Sequence, residues 1–385
     1  MKITIDKRYV TETLQRLVQI NSTNPTLNAE NAGEAEIAGT LTELLVELGL
    51  KPSIDEVTPT RPNVIGILKG RAGGRSLMLN GHTDTVGVEG MVEPFSGSIR
   101  DGKLFGRGSQ DMKASLAAML GAAKAIVDAQ IQLSGDLILT FVIDEETVSE
   151  GTADIVKHYT ADAAIVTEPT DLTITRAHRG FIWFEVETFG RAAHGSRYSE
   201  GIDANMQMGR FLAQLDQLEQ ELRARPPHPL VGPPSLHASL LQGGTEISKY
   251  AAHCQLTLER RTVPGETIAP TLAELQAIID RLSKEDDNFK ATVTPTFSRE
   301  PFEVEPTAAI VQILEASAIN RLGQKPAHTG QTFWTDAALL AGAGIETVLI
   351  GPVGAGLHSD EEWVDVASVI DLAHILAETA VAYCR

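Results

Sequence analysis

Hydrophobic residues form helical stripes at the start of the chain. Val10, Leu14, Leu17 and Val18 mark one face, and Ile37, Leu41, Leu44, Leu45 and Leu48 mark another that stops at Gly49. Short β-type runs follow at Asn63–Leu68 and Ser76–Asn80. A helix of small residues is predicted over Met112–Ala129, then a largely apolar strand over Asp136–Ile143. A short helix, Gly151–His158, and a buried strand, Ala163–Val166, continue the alternation. Apolar strands alternating with helices predict an α/β sheet with both faces covered.

The pattern changes near residue 179. Phe181–Phe189 alternates as a strand, and Asp203–Leu222 reads as a helix through Met206, Phe211, Leu212, Leu215 and Leu218. Strands over Leu236–Leu241 and Cys254–Arg260, a helix over Thr271–Leu282 and a strand over Ala291–Thr296 complete a β-α-β-β-α-β order. That order predicts a split-βαβ, ferredoxin-like α+β unit, with the Pro-rich stretch Arg225–Pro234 as an internal loop. The α/β pattern then resumes. Ile310, Ile313 and Leu314 mark a helix, followed by a helix at Thr335–Ala343, a strand at Glu346–Ile350 and a final helix at Ala367–Tyr383. The expected fold class is therefore α/β. A discontinuous domain (residues 1–178 and 299–385), with a mixed, mostly parallel sheet between helices, is interrupted by a smaller domain (residues 179–298).

Charge narrows the partners. Lys plus Arg is 32 and Asp plus Glu is 51, a formal net charge of -19. Phosphate backbones need concentrated positive charge, so no nucleic-acid partner is expected, and an anionic membrane is disfavoured on the same ground. The acidity serves solubility or collects metal cations. Cys254 and Cys384 are the two cysteines and make no disulfide framework, which fits a reducing compartment. Residues Met1 to Lys7 lack the apolar core of a signal peptide. The weakly polar stretch Leu339–Leu357 contains Glu346 and Pro352 and reads as a buried helix–strand–loop unit rather than a membrane span. A cytoplasmic protein is expected.

Metal-type ligands gather at the ends of predicted strands, where open α/β sheets build their sites. Gly81-His82-Thr83-Asp84 follows the strand Ser76–Asn80. The imidazole of His82 suits a zinc-like ion, and Asp84 could accept its other ring N–H. Gly106-Arg107-Gly108-Ser109-Gln110-Asp111-Met112-Lys113 is a glycine-rich turn in which Asp111 either ligates or caps a helix. Asp144-Glu145-Glu146 closes the strand Asp136–Ile143; adjacent carboxylates need a cation or exposure. Neighbouring positions on a strand point to opposite sides, so one acid could bind metal while the other handles a proton. Glu168-Pro169 closes the strand Ala163–Val166, and His358 sits in the loop Gly354–Glu362; either alone could be a turn. Together, His82, Asp111, Glu146, Glu168 and His358 supply two imidazoles and three carboxylates, enough for two ions if one carboxylate bridges. Such N/O ligation suits zinc, cobalt or manganese.

These motifs, in this order and over essentially the whole chain, resemble the M20 di-zinc metallopeptidases and amidohydrolases. The resemblance implies a catalytic domain with an inserted lid or dimerisation domain. It implies that Asp111 bridges two divalent ions, most commonly zinc, with His82 and Glu168 completing one site and Glu146 and His358 the other. Glu145 would be the general base and acid, and Asp84 the partner of His82. The Asp111–Met112 peptide is expected to be cis. Ala193-His194-Gly195-Ser196 looks like the family's lid histidine motif, in which His194 would reach the neighbouring subunit's site in a homodimer. Glu259-Arg260-Arg261-Thr262-Val263-Pro264-Gly265 resembles a substrate-carboxylate segment, with Arg261 the better match; a structural ion pair with Glu259 is the alternative. Ser248 and Ala251 stand where relatives often carry Asn and Pro after Gly243-Gly244-Thr245, and Asp203 stands where Asn is common. By the resemblance, Ser248 would be an altered substrate contact. The implied activity is hydrolysis of an N-acyl amino acid, acetylornithine deacetylase-like. The alternatives are a succinyl-diaminopimelate desuccinylase, a dipeptidase or carboxypeptidase, and a non-catalytic metal-binding relative.

Overall fold

The computed structural model describes residues 3–385. Met1 and Lys2, part of the N-terminal reading above, lie outside them. The chain divides into two compact units. The first takes in the chain up to Arg176 together with Val304–Thr329 and Thr335–Arg385. The second comprises Ala177–Glu303 and Gly330–Trp334.

In the first unit, Leu137–Val142, Leu77–His82, Ala163–Val166 and Glu346–Leu349 lie side by side and pair in parallel. Every residue of the first three is buried, which is why they read as mainly apolar runs without alternation. Arg61–Leu68 and then Ser53–Thr58 extend one edge in antiparallel pairing. Ile174–His178 joins beyond Glu346–Leu349, also antiparallel. The helices Lys7–Val18, Ala114–Asp128 and Val366–Tyr383 pack on one another. Val366–Tyr383 is apolar enough to cross a membrane by length and composition, but here Val369, Leu372, Leu376 and Ala380 are fully buried in the core.

A second, small antiparallel sheet orders Gly354–Ala355, Trp363–Asp365, Lys103–Phe105 and Ser98–Arg100. Strands of two or three residues carry no readable period, so sequence patterning passed over them. The predicted helix Met112–Ala129 begins instead at Ala114. Asp111 (φ -116°, ψ 92°) and Met112 (φ -134°, ψ 33°) lie outside helical space, and the peptide between them is cis. Lys113 occupies the N-cap position, so the Asp111 carboxylate does not cap this helix.

The second unit has the β-α-β-β-α-β order. Its antiparallel sheet runs Ser235–Gly243, His253–Thr262, Gly180–Phe189, Ala291–Arg299. Ile182, Phe184 and Val186 alternate inward and meet Phe211, Leu215, Leu218 and Leu222 of the helix Ala204–Ala224, with Leu275, Ile279 and Leu282 of the helix Ile268–Glu285. One expectation fails. Met206 is 68% exposed, whereas Met208 is 1% exposed. The buried stripe runs through Ala204, Met208, Phe211 and Leu215 at steps of four, three and four residues; Met206 lies two residues, or about 200°, from it. Asp203 caps this helix, accepting from the backbone N–H groups of Asn205 and Met206.

This phase is open to measurement. Met208→Ala should lower unfolding free energy by roughly 2–5 kcal/mol, while Met206→Ala should stay within about 0.5 kcal/mol of the parent. Urea titrations followed by far-UV circular dichroism separate the two. Equal losses would mean that the helix is rotated.

Candidate metal centre

The parallel strands of the first unit deliver its chemistry to one end of the sheet. His82 is the last residue of Leu77–His82. Glu145 and Glu146 lie in the turn after Leu137–Val142, and Glu168 follows Ala163–Val166. Asp111 comes from the irregular turn Ser109–Lys113, and His358 from the loop beyond Gly354–Ala355, at φ 57°. These six meet. His82 Nε2 is 3.0 Å from Asp111 Oδ1 and 3.7 Å from Glu168 Oε1. His358 Nε2 is 3.4 Å from Asp111 Oδ2 and 3.0 Å from Glu146 Oε2. Asp111 thus stands between the two imidazoles with one oxygen toward each. His82, Glu145 and Glu168 offer ligand atoms within 4.8 Å of one another, and so do His82, Asp111 and Glu146.

Two expectations change in detail. The Nδ1 of His82 lies 2.9 Å from the backbone oxygen of Asp84, nearer than its carboxylate at 3.6 Å. That carboxylate is taken up elsewhere: it accepts the backbone N–H groups of Glu145 and Glu146, each at 3.2 Å, and the Asn24 amide at 2.8 Å. A carbonyl oxygen only accepts, so Nδ1 carries a proton and Nε2 is the nitrogen that would turn to a cation on losing its own. Glu145 and Glu146 are also not opposed on a strand. Asp144 turns the chain at φ 68°, and both acids project from the turn that Asp84 holds.

A buried network beneath the turn was missed by sequence reasoning. Arg61 donates to both carboxylate oxygens of Glu34, at 2.8 and 2.6 Å, and to Asp144 at 2.9 Å. Asn24 bridges Asp84 and Asp144. Asp144 accepts further from Thr26 and Thr147. These partners are scattered along the chain, and no local pattern links them. Asp336 is also buried here, bonded by Thr152 at 2.6 Å.

The electrostatics describe a site that requires positive charge. Burial, then Glu168, pushes Glu145 well above the usual carboxylate range. Burial, then Asp111, raises Glu146; burial raises Glu168 strongly and brings Asp336 to about 6. Burial would also raise Asp111, but His358 and His82 overcome it and hold that carboxyl low. Burial opposes charge on His82, yet the adjacent carboxylates of Asp111 and Asp84 lift it well above the usual histidine value. Hydrogen bonds to Asp111 and Glu146 lift His358 to about 10. Glu146 Oε1 and Glu168 Oε1 are buried without a hydrogen-bond partner. Orphaned carboxylate oxygens beside imidazole nitrogens are the donor set a divalent transition metal takes, and the cluster contains no thiolate.

The other expected site residues belong to the second unit. His194 is in an exposed loop with Nδ1 2.8 Å from Ser196 Oγ. Arg261 Nε is 2.6 Å from Glu259 Oε1, and its guanidinium lies 5.2 Å from the Phe181 ring, so the ion pair considered for it is present. Ser248 is exposed, and its backbone oxygen accepts the N–H of Gly195 at 2.8 Å.

Residues 78–382 match the profile of peptidase family M20/M25/M40. The N-formyl-4-amino-5-aminomethyl-2-methylpyrimidine deformylase of Bacillus subtilis is 30% identical, with 100% of this chain and 96% of the relative covered. The acetylornithine deacetylase of Salmonella arizonae is 28% identical over 94% of this chain and 95% of its own. A tripeptidase from Staphylococcus aureus has a TM-score of 0.79 at 21% identity, covering 99% of each chain. A dinuclear metal-binding peptidase of the M20 family from Bacillus subtilis has a TM-score of 0.77 at 16% identity, covering 98% of each. At these identities the two structures show likeness of fold.

Arg61→Met should destabilise the chain by roughly 3–5 kcal/mol, because Glu34 and Asp144 would remain buried without their cation. Guanidinium denaturation of variant and parent tests it; a loss under about 1 kcal/mol would show that the network is not held together by this charge.

Proposed function

The chain belongs to peptidase family M20/M25/M40, hydrolases of amide bonds, and from that premise we propose that it removes a short acyl group from a primary amine using two divalent ions. The observation that carries the reading is the placement of Asp111 between His82 and His358, with Glu168 and Glu146 beside them. In this proposal His82, Asp111 and Glu168 hold one ion, and Asp111, Glu146 and His358 hold the other. Zinc is the first choice and cobalt or manganese the alternatives. When bound, such ions lower the pKa of water and polarise a scissile carbonyl.

The protein's own residues do the rest. Asp84 fixes the turn that carries Glu145 and Glu146, and its backbone oxygen fixes the ring of His82. Burial, then Glu168, raises the basicity of Glu145, which suits its carboxylate to accept a proton and pass it on. Its carboxylate takes a proton from the attacking water and passes it to the leaving nitrogen, giving a carboxylic acid and an amine. Arg261 meets Glu259 through Nε, so its Nη1–Nη2 edge is the side on which it would take a substrate carboxylate. His194 is proposed to support the carbonyl oxygen from the partner subunit of a homodimer, and Ser248 to line the substrate. The second unit would then be a lid and dimerisation domain. The free cysteines Cys254 and Cys384 fit a cytoplasmic setting.

An N-acetyl amino acid, as for acetylornithine deacetylase, is the substrate class we place first. The 30% identity to a deformylase along the whole chain favours a second reading, a formyl group on a heteroaromatic methylamine. Both cleave a one- or two-carbon acyl group from nitrogen. The deciding experiment loads the protein with zinc, cobalt or manganese and measures acid release from N-acetyl amino acids including N-acetylornithine, N-formyl aminomethylpyrimidines, N-succinyl-diaminopimelate and dipeptides. Turnover confined to acetyl or formyl amides is expected. Turnover of dipeptides alone would overturn the short-acyl assignment. Inactivity across the panel with two ions bound would favour a non-catalytic relative.

Glu145→Gln should retain both ions and lose roughly 10²–10⁴-fold in kcat. Metal analysis alongside steady-state kinetics tests this, and near-parental turnover would remove Glu145 as the base.

A further inference from the structure

Glu362 is four residues beyond His358 and is 1% exposed. It stands immediately before the strand Trp363–Asp365, which pairs with Lys103–Phe105 in the small sheet. The pairing brings Glu362 opposite the glycine-rich turn that leads to Asp111, and Gly106 N–H donates to the Glu362 backbone oxygen at 3.1 Å. The Glu362 side chain then enters the turn. Its Oε1 accepts the backbone N–H groups of Gln110 at 2.8 Å and Asp111 at 3.0 Å. Its Oε2 accepts the N–H of Gly108 at 2.9 Å and Arg107 Nη1 at 2.8 Å. Gly108 is at φ 76°, and a Cβ there would come within 2.7 Å of Thr85 Cγ2, so the turn that aims these N–H groups inward is built for glycine.

Arg107 completes a clamp. It donates to the Ser359 backbone oxygen at 3.0 Å, next to His358, and to the Gly87 oxygen at 2.9 Å. One carboxylate and one guanidinium therefore tie the backbone of Asp111 to the backbone beside His358. We propose that Glu362, with Arg107, is a positioning residue that sets the spacing of Asp111 and His358 and so tunes affinity for the ion held between them. This rests on the two-ion reading above. The charge of Glu362 matters, because four donors converge on it and a neutral amide would turn its own N–H groups toward some of them.

The test compares the full-length protein with Glu362→Gln, Glu362→Asp and Arg107→Met. Each is stripped with chelator, checked for cooperative thermal unfolding and titrated with zinc against a chromophoric chelator. Glu362→Gln should unfold near the parental temperature when metal-free, yet bind at least one zinc about 10–100-fold more weakly. At saturating zinc its KM should match the parent while kcat stays lower. Glu362→Asp, which keeps the charge, should recover part of the affinity. Parental zinc affinity in a folded Glu362→Gln protein would overturn the proposal. If that variant does not fold, Arg107→Met decides: weaker zinc binding supports the clamp and unchanged binding overturns it. A parent protein that binds no zinc, cobalt or manganese would instead overturn the two-ion reading itself.

Discussion

Asp111, Glu145, Glu146, Glu168 and Asp336 crowd a poorly hydrated end of the first unit's sheet, and their mutual repulsion is relieved either by protonation or by positive charge brought among them. Two imidazoles supply part of it. Asp111 remains ionised because His82 and His358 both bond it, while the surrounding glutamates are driven toward their neutral forms. A cluster of this kind is costly to fold around unless cations belong to it. The rest of the first unit can be understood as the means of keeping these side chains together despite that cost.

The means are layered. Parallel strands place His82, the Glu145–Glu146 turn and Glu168 in adjacent positions, because neighbouring strands end together. Beneath them, Asp84, Asn24, Arg61, Glu34 and Asp144 form a hydrogen-bonded network around the Arg61 guanidinium, in which Asp84 accepts the N–H groups of the acidic turn. A close backbone approach serves Glu168. A Cβ on Gly351 would fall 1.9 Å from the Glu168 oxygen, so only glycine lets the following loop lie against it. Precision at the ligands thus comes from residues that need never touch a metal or a substrate.

The ferredoxin-like unit is organised differently. Its core is hydrophobic and continuous, and several of its charged residues pair within it, including the buried Arg260 with Glu266 at 2.7 Å. The candidate functional residues it carries, His194, Arg261 and Ser248, lie at loops or on strands rather than in that core. Such a unit can vary its exposed positions without disturbing its own packing.

The sequence by itself determined the fold class, the interrupted organisation and the side chains that form the cluster. Helical stripes and buried runs have fixed periods, and metal-type ligands at strand ends are visible as motifs. The phase of the helix Ala204–Ala224 was also legible, since Met208 stands three residues before Phe211 and seven before Leu215, a spacing that the reading through Met206 passed over. The backbone bond from His82 to Asp84, the burial of Arg61 between Glu34 and Asp144, and the reach of Glu362 to Asp111 were decided by tertiary structure. Of these, the Arg61 and Glu362 contacts join residues distant in sequence, and a hydrogen bond leaves no local period in either partner. Chain chemistry chose the side chains of the cluster; the folded backbone chose how closely they stand.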